Sequence, residues 1–328
     1  MTAQPDAGAI ICVLGEALPA PLTVTRIAAL SGGASADTCA VDITDGKGTA
    51  HELILRRAAG SNRFNPGVGK REEARAQQAA GAEGVPVAEV LAIFDDEMLG
   101  KGYLMRRLRG EAIPRKLLRD DCYAAARGRL ADDCGRALAG IHRVQRSALP
   151  ELQALSPEQQ VRQLAAMHSA FAQPIPVFSL ALRWLRGHLP EAAEPALVHG
   201  DFRTGNLLVD EQGLVAVLDW ELVHFGNPLE DLGWLCAPAW RFGGAGPAGG
   251  FASREALAAA YEGAGGRHVD PAELRFWEIY ATLRWGVICQ FQAFAHLNRM
   301  APSVERAAIG RRVTEVELDL LMLIDGAL

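Results

Sequence analysis

The sequence lacks any long apolar run and any excess of basic residues. Its 328 residues include 33 Lys and Arg against 39 Asp and Glu, a formal net charge of −6. Nucleic-acid binding needs a basic face, so this balance argues against a nucleic-acid partner. No apolar stretch approaches the roughly 20 residues of a membrane span, and the N-terminus MTAQPDAGAI has no basic region or apolar core of a signal peptide. We therefore expect no membrane partner and a cytoplasmic protein.

Cysteine pairs are also missing. The six cysteines are scattered, with no CxxC spacing among them. This pattern favours small buried thiols in a reducing compartment over a zinc site or a disulfide framework. The composition, 49% hydrophobic and 22% charged, is that of a globular protein, and a chain of this length is expected to form two lobes or domains.

The most informative stretch runs from Leu197 to Leu235. Two apolar residues precede the polar loop HGDFRTGN, residues 199–206. The apolar segments 207–209 and 214–218 follow, separated by the turn sequence DEQG. Two strands joined by a short Gly-containing turn predict a β-hairpin. Such a hairpin returns the chain so that Asp219, at the end of its second strand, lies beside the loop that holds Asp201 and Asn206.

These three residues suit phosphoryl transfer. That reaction needs a group to receive or orient the attacking hydroxyl and oxygen ligands for magnesium, and in protein kinases the base Asp precedes the metal-binding Asn by five residues. Asp201 and Asn206 have that spacing, so we interpret Asp201 as the base or orienter and Asn206 and Asp219 as metal ligands. Arg203 is placed to meet charge on the transferred group. Each residue alone is as well explained by turn formation, but the joint pattern favours catalysis.

The motifs HGDFRTGN and VLDWE resemble those of the aminoglycoside phosphotransferase and choline kinase-like family. The continuation NPLEDLGWL resembles the branch related to domains fused to some acyl-CoA dehydrogenases. The resemblance covers nearly the whole chain and implies a two-lobed, protein-kinase-like α+β fold, with ATP and Mg²⁺ as cofactors. We expect a nucleotide-binding lobe at 1–105, a hinge at 106–110 and a helical lobe at 111–328. By the same resemblance, Asp231 is a brace for the catalytic loop.

A Gly-rich turn separates the first two strands predicted in the N-terminal lobe. It contains Gly32, Gly33 and Ser35, small residues that let backbone amides approach a phosphate closely. The pattern fits a nucleotide cover and a plain hairpin about equally, and the resemblance favours the nucleotide cover.

The third strand, HELILRR, ends in two basic residues. Strand alternation puts Arg56 and Arg57 on opposite faces, so only one of them points into the cleft. The resemblance aligns Arg56 with the phosphate-binding Lys of kinases and Glu72, on a helix starting near Lys70, with its partner; Glu73 is the competing partner. A solvated basic strand end is the alternative.

By resemblance, backbone groups of the hinge, including Arg106 and Leu108, bind the adenine. Beyond the hinge the patterns are helical. Helix starts are predicted by the capping boxes SPEQ at 156–159 and DPAE at 270–273. The sequence GGAGPAGG at 243–250 predicts a mobile loop.

The leading hypothesis is an ATP-dependent phosphotransferase that acts on a small-molecule hydroxyl. Aminoglycosides are polycations and require an acidic pocket, whereas the helix predicted from Pro271 contains only two acids, Glu273 and Glu278. A hydroxylated metabolite, or by resemblance an acyl derivative, is therefore preferred over an antibiotic. The alternatives are a nucleotide-binding pseudokinase, suggested by Arg56 in place of Lys, and slow ATP hydrolysis without an acceptor.

Overall fold

One antiparallel sheet is the framework of the N-terminal lobe. The protein's structure is a computed structural model that describes residues 4–15, 17–30, 36–58 and 67–327. The elements are helix α1 (Ala7–Leu14), strands β1 (Thr23–Ala29), β2 (Ala36–Thr44) and β3 (Ala50–Ala58), helix α2 (Lys70–Ala82), and strands β4 (Val90–Asp96) and β5 (Gly100–Arg106). The strand order is β1-β2-β3-β5-β4, and all neighbouring strands are antiparallel. The five predicted strands and the predicted helix near Lys70 are therefore present.

Strand β3 has a different neighbour on each face. Leu53 and Leu55 are fully buried and pack in the same apolar cluster as helix α1. Ile54 packs on the opposite face, in the cluster that includes residues of α2 and β5. Because side chains alternate along a strand, Arg56 shares the face of Ile54 and is directed towards α2, whereas Arg57 is directed to the other side.

The C-terminal lobe is mostly helical and contains four short strands. Its helices are α3 (Pro114–Arg119), α4 (Ala124–Arg127), α5 (Leu130–Arg143), α6 (Pro157–Ala170), α7 (Pro176–Gly187), α8 (Leu229–Cys236), α9 (Arg254–Gly263), α10 (Pro271–Leu297), α11 (Val304–Gly310) and α12 (Val313–Asp325). Its strands are β6 (Ala196–Val198), β7 (Leu207–Val209), β8 (Leu214–Val217) and β9 (His224–Gly226). Strand β6 pairs with β9, and β7 pairs with β8 as the predicted hairpin.

The two predicted helix starts differ in their details. Ser156 and Gln159 form the reciprocal capping box at the start of α6. Asp270 also caps α10 through the Ala272 amide. The carboxylate of Glu273, however, accepts hydrogen bonds from Asn227 and Arg267. The second capping box is therefore only half formed, because tertiary partners compete for its glutamate.

The glycine-rich segment 243–250 is folded into defined turns. Gly246 and Gly250 exchange backbone hydrogen bonds, and the Gly249 amide donates to the Leu235 carbonyl at 2.9 Å. Thr204 donates its hydroxyl to the Gly249 carbonyl at 2.8 Å, and Ala248 is fully buried. This differs from the expected mobile loop, because contacts with α8 and with Thr204 supply the order that the segment cannot supply by itself.

Helices α8 and α10 approach closely at Gly233. A Cβ atom there would lie 2.5 Å from the Trp277 Cβ and 2.9 Å from the Glu278 nitrogen. Gly233→Ala should therefore lower the free energy of unfolding by about 1–3 kcal/mol, the usual cost of overpacking, as measured by urea denaturation. Gly187→Ala is the control, since no described atom lies within 4 Å of its added Cβ. Equal effects of the two variants would contradict the prediction.

Candidate active site

The loop after β6 is held by a buried carboxylate. Asp231, on α8, accepts hydrogen bonds from the His199 amide at 2.8 Å, the Gly200 amide at 2.9 Å and His142 Nε2 at 3.2 Å. Burial alone would raise the pKa of Asp231, but its hydrogen bond and charge interaction with His142, with smaller contributions from His199, lower it. Gly200 has φ +79°, a left-handed conformation that favours glycine. Asp231 thus fixes the chain immediately before Asp201.

The carboxylate of Asp201 is surrounded by three side-chain donors. Its Oδ1 accepts from Trp234 Nε1 at 2.8 Å and from Arg203 Nε at 3.1 Å. Its Oδ2 accepts from Asn206 Nδ2 at 2.6 Å and from the same Arg203 nitrogen at 3.2 Å. An ionised carboxylate offers about four lone-pair directions, so roughly one remains for a further donor such as a hydroxyl group.

The β7–β8 hairpin brings Asn206 next to the end of its second strand. Leu207 pairs with Val217, and the Leu218 amide donates to the Asn206 carbonyl at 2.8 Å. Asp219 follows directly, with φ +65°, an uncommon left-handed conformation for a residue with a side chain. The convergence of Asp201, Asn206 and Asp219 expected from the hairpin is therefore present.

Arg56 connects the sheet of the N-terminal lobe to this strand end. Its Nη2 lies 2.9 Å from Asp219 Oδ1 and 3.0 Å from Glu73 Oε1. The expected pairing of Arg56 with Glu72 is wrong, because Glu73 is the residue whose position in the first turn of α2 faces β3. Glu73 is fully buried, whereas Glu72 is partly exposed and lines a cavity. Arg57 pairs with Asp37 on the other face.

Two further groups complete this buried charge cluster. Tyr103 donates its hydroxyl to Glu73 Oε1 at 2.7 Å, and Lys70 Nζ contacts Glu73 Oε2. Burial alone would lower the pKa of Arg56, but Tyr103, Glu73 and Asp219 raise it. For Asp219 the directions are reversed: burial alone would raise its pKa, but Arg56 lowers it. The cluster therefore contains two cations and two carboxylates, whose charges cancel.

Of the other predicted nucleotide contacts, Gly32, Gly33 and Ser35 lie outside the described residues. In the hinge, the Arg106 amide donates to the Glu89 carbonyl at 2.9 Å, so that N–H group is already used. The Arg106 side chain contacts His51 and Glu89. The Leu108 amide has no hydrogen-bond acceptor in the described part of the chain, which leaves it available to a base.

Asn206 and Asp219 form a donor set that fits magnesium. Because Asn206 Nδ2 donates to Asp201, the amide oxygen Oδ1 is the atom that faces away from that contact and would bind an ion. Among the residues that the structure describes, no group of three His, Cys, Asp or Glu side chains is suited to a metal ion. One carboxylate, one amide oxygen and substrate phosphates are nevertheless a common environment of Mg²⁺.

A cavity of about 540 Å³ lies between the start of α2, the segment after Asp219, and helices α6 and α10. Arg284 forms part of its wall and donates from Nη1 to the Gly200 carbonyl at 3.0 Å. Residues 199–206 do not line the cavity, so Arg284 connects it with the residue that precedes Asp201.

Sequence reasoning missed four side chains of this region. They are Lys70, Tyr103, Trp234 and Arg284. Trp234 and Arg284 lie on helices whose apolar patterns predict core residues, and no spacing in the sequence marks the one indole N–H that meets Asp201. Lys70 is the first residue of α2, three positions before Glu73, and this helical spacing was the available signal.

The two lobes and the site define the class, a protein-kinase-like phosphotransferase fold. The chain belongs to the phosphotransferase enzyme family, whose model matches residues 26–277. Membership of this family supports an ATP-dependent phosphotransferase that acts on a small molecule.

Individual proteins are similar to this chain in sequence or in fold. Acyl-CoA dehydrogenase family member 10 of Mus musculus is 28% identical over 203 residues, which cover 56% of this chain and 18% of that protein. The chain thus spans about a fifth of that curated relative. A candidate aminoglycoside phosphotransferase from Ralstonia eutropha has a TM-score of 0.77 at 21% identity and 98% coverage of both chains. A spectinomycin phosphotransferase, solved with ADP and spectinomycin, has a TM-score of 0.62 at 16% identity, with 97% of this chain and 98% of that chain covered. At these identities the solved structures show the fold.

Within the described residues, no helix has both the length and the apolar character needed to span a membrane.

Asp231→Asn should lower the free energy of unfolding at pH 6 by about 3 kcal/mol, because an amide cannot accept all the donors that the buried carboxylate accepts. The folded-state pKa of Asp231 is lowered, so the advantage of the carboxylate is complete above the unfolded value of about 3.9 and is lost as pH falls through the folded value. The gap between wild type and variant should therefore narrow between pH 6 and pH 2 in urea titrations. Asp132→Asn, at an exposed position on α5, is the control; a gap that stays constant with pH would contradict the assignment.

Proposed function

We propose that the chain transfers the γ-phosphate of ATP, with magnesium, to a hydroxyl group of a small molecule. The observation that carries the proposal is the convergence of Asp201, Asn206 and Asp219 at one strand end, with Arg56 reaching it from the other lobe. Phosphoryl transfer depends mainly on positioning and electrostatic stabilisation, and these four residues supply a base, two oxygen ligands and a phosphate-binding cation.

In the proposed reaction, the acceptor hydroxyl gives its proton to Asp201 while its oxygen forms a bond to the γ-phosphorus. The bond from that phosphorus to the bridging oxygen breaks, and ADP leaves with the electron pair. Arg203 touches Asp201 through Nε, and its guanidinium lies 4.8 Å above the Trp240 ring. This stacking keeps a positive charge beside the base, where it would stabilise charge on the moving group. Magnesium, held by Asn206 and Asp219, would neutralise the phosphates.

Nucleotide binding would use groups from both lobes. We propose that Arg56 holds phosphate oxygens, that the Gly32–Gly33–Ser35 turn covers them, and that the hinge at 106–110 receives the adenine through the Leu108 amide. The proposed lobe limits remain 1–105 and 111–328, and the protein is proposed to be cytoplasmic. Because Arg56 now contacts Asp219, bringing magnesium and phosphates to this site would require Asp219 to exchange that contact for the metal.

Three acids line the cavity, and the buried one, Glu230, is already paired. Glu230 contacts His224 at 3.1 Å, Gln160 at 2.7 Å and Arg284 at 3.5 Å. Burial alone would lower the pKa of His224, but Glu230 raises it. The other two acids, Glu72 and Glu151, are not buried, so the preference against a polycationic acceptor rests on the acids of α10.

The acids on α10 are likewise occupied. Glu273 pairs with Arg267, and Glu278 is buried between Arg241 and Arg254. Neither carboxylate is available to an ammonium group. This supports a hydroxylated metabolite, or an acyl derivative, over an aminoglycoside as the acceptor.

The alternative is a nucleotide-binding pseudokinase. It is favoured by the contact of Arg56 with Asp219, which occupies a proposed metal ligand with a permanently charged guanidinium. A pseudokinase would bind nucleotide and transfer phosphate to no acceptor, and slow hydrolysis would release phosphate without a phosphorylated product. The complete set of Asp201, Asn206 and Asp219 favours the enzyme.

Asp201→Asn should lower kcat by roughly 10²–10⁴-fold, the usual contribution of a general base, and leave nucleotide affinity nearly unchanged. Asp219→Ala should instead remove the magnesium dependence of nucleotide binding, since it deletes a metal ligand. Isothermal titration of each variant with ATP, with and without magnesium, separates the two roles. Retained turnover in Asp201→Asn would count against the base.

A panel of hydroxylated acceptors should identify the substrate class. Uncharged or anionic hydroxy compounds should gain one phosphoryl group in the presence of ATP and magnesium, detected by mass spectrometry, and aminoglycosides should not. The Asp201→Asn protein is the control for contaminating kinases. ATP binding without any product supports the pseudokinase, and phosphate release without product supports hydrolysis.

A further inference from the structure

Trp234 is a buried tryptophan that the catalytic scheme above does not use. It lies on α8, three residues after Asp231, and only 2% of its surface is exposed. Its indole Nε1 donates to Asp201 Oδ1 at 2.8 Å. The indole N–H is a donor only, and its partner here is the carboxylate proposed as the base.

Other tryptophans show that burial alone does not provide an acceptor for an indole N–H, although Trp220 Nε1 donates to the Val217 carbonyl at 3.1 Å. In the described part of the chain, the indole N–H groups of Trp240, Trp277 and Trp285 are buried without a hydrogen-bond partner. Burial of an indole in this lobe therefore does not by itself bring its N–H to an acceptor. The Trp234 N–H is directed at Asp201 by the position of α8, which also carries Asp231.

Arg284 holds the Trp234 ring in place. Its guanidinium carbon lies 4.6 Å from the centroid of that ring, within cation–π distance. The same guanidinium donates to the carbonyl of Gly200, the residue before Asp201. Arg284 therefore contacts both the loop that carries the base and the ring that hydrogen-bonds to it, and it does so from the wall of the cavity.

Trp240 contacts both Trp234 and Arg203, two of the donors to Asp201. Its ring centroid lies 5.3 Å from that of Trp234, and it carries the guanidinium of Arg203 on its face. Arg203 in turn donates to both oxygens of Asp201. The carboxylate thus accepts from two side chains, Trp234 and Arg203, that both pack against the ring of Trp240.

We propose that Trp234 is a positioning residue for Asp201, which fixes the direction of its carboxylate, and that Arg284 secures Trp234 from the acceptor cavity. The proposal rests on the proposed function for its kinetic consequence. Trp234 is not among the cavity-lining residues, so it sets the orientation of the base without touching the acceptor. A fixed carboxylate keeps its remaining lone pair directed at the hydroxyl group, and such preorganisation raises kcat more than affinity.

The kinetic test is Trp234→Phe, which keeps an aromatic ring and removes the N–H. We expect kcat to fall roughly tenfold, with little change in the KM of the acceptor or of ATP, since a hydrogen bond to a charged group is lost. Arg284→Met, which also alters the cavity, should lower kcat and raise the acceptor KM together.

Trp277→Phe is the matched control. Trp277 is fully buried in the same lobe, and its indole N–H has no acceptor among the described residues. This variant should lose comparable ring volume and keep kcat. Equal kinetic effects of the two variants, or a raised KM with unchanged kcat in Trp234→Phe, would overturn the proposal.

A second measurement requires no turnover and remains valid if Trp234→Phe fails to fold. In protein labelled with ¹⁵N-tryptophan, one of the six indole N–H signals should move upfield in Asp201→Ala, which removes its hydrogen-bond acceptor. If no acceptor is ever phosphorylated but that signal moves, the proposed function fails while the Trp234–Asp201 contact stands. If no indole signal responds to Asp201→Ala, the positioning role is overturned whatever the enzyme does.

Discussion

The site depends first on the buried carboxylate of Asp231. Removing a carboxylate from water costs several kcal/mol, and here that cost is offset by two backbone amides and His142. Because the amides belong to His199 and Gly200, the loop has one position relative to α8. The same helix carries Trp234, so a single rigid element sets both the backbone before Asp201 and the direction of its carboxylate. Misplacing α8 would disturb both at once.

A second constraint links the two lobes. Arg56 extends from the sheet of the N-terminal lobe to Asp219 at the end of β8. Its positive charge is paired with the carboxylates of Glu73 and Asp219, and Lys70 contacts Glu73 as well. The cluster is neutral as it stands. Under the proposed function, magnesium would bind Asp219 in place of Arg56, and the guanidinium could then hold phosphate oxygens bidentately, which an ammonium group cannot do.

Much of this arrangement could be predicted from the sequence, and the limits have physical causes. The hairpin after Asn206 follows from alternating apolar residues and a Gly-containing turn, and its register places Asp219 beside the loop. Sequence patterns could not decide whether Glu72 or Glu73 is the partner of Arg56. Consecutive helical residues point about 100° apart, and the rotation of α2 about its axis is set by the packing of its residue Ala74 with Tyr103 and Met105 of β5.

Segments that depend on tertiary partners were the least predictable. The glycine-rich turn at 243–250 has a composition typical of mobile loops, but hydrogen bonds from Thr204 and to Leu235 give it defined turns. Trp234 would be assigned to the core from its sequence context, and it is indeed buried. Sequence patterns do not show that the indole N–H of Trp234 is directed at Asp201.

Trp234, whose indole N–H contacts Asp201, is also connected with the cavity through Arg284. Arg284 contributes its guanidinium to the cavity wall, to the Gly200 carbonyl and to the Trp234 ring. A group bound against Arg284 would therefore act on the orientation of the proposed base through two contacts of that side chain. Glu230 compensates part of the charge of Arg284. Under the proposed function, a cationic acceptor bound at Glu230 would compete with Arg284 for that carboxylate, whereas an uncharged hydroxylated acceptor would leave the contacts of Arg284 with Gly200 and Trp234 intact.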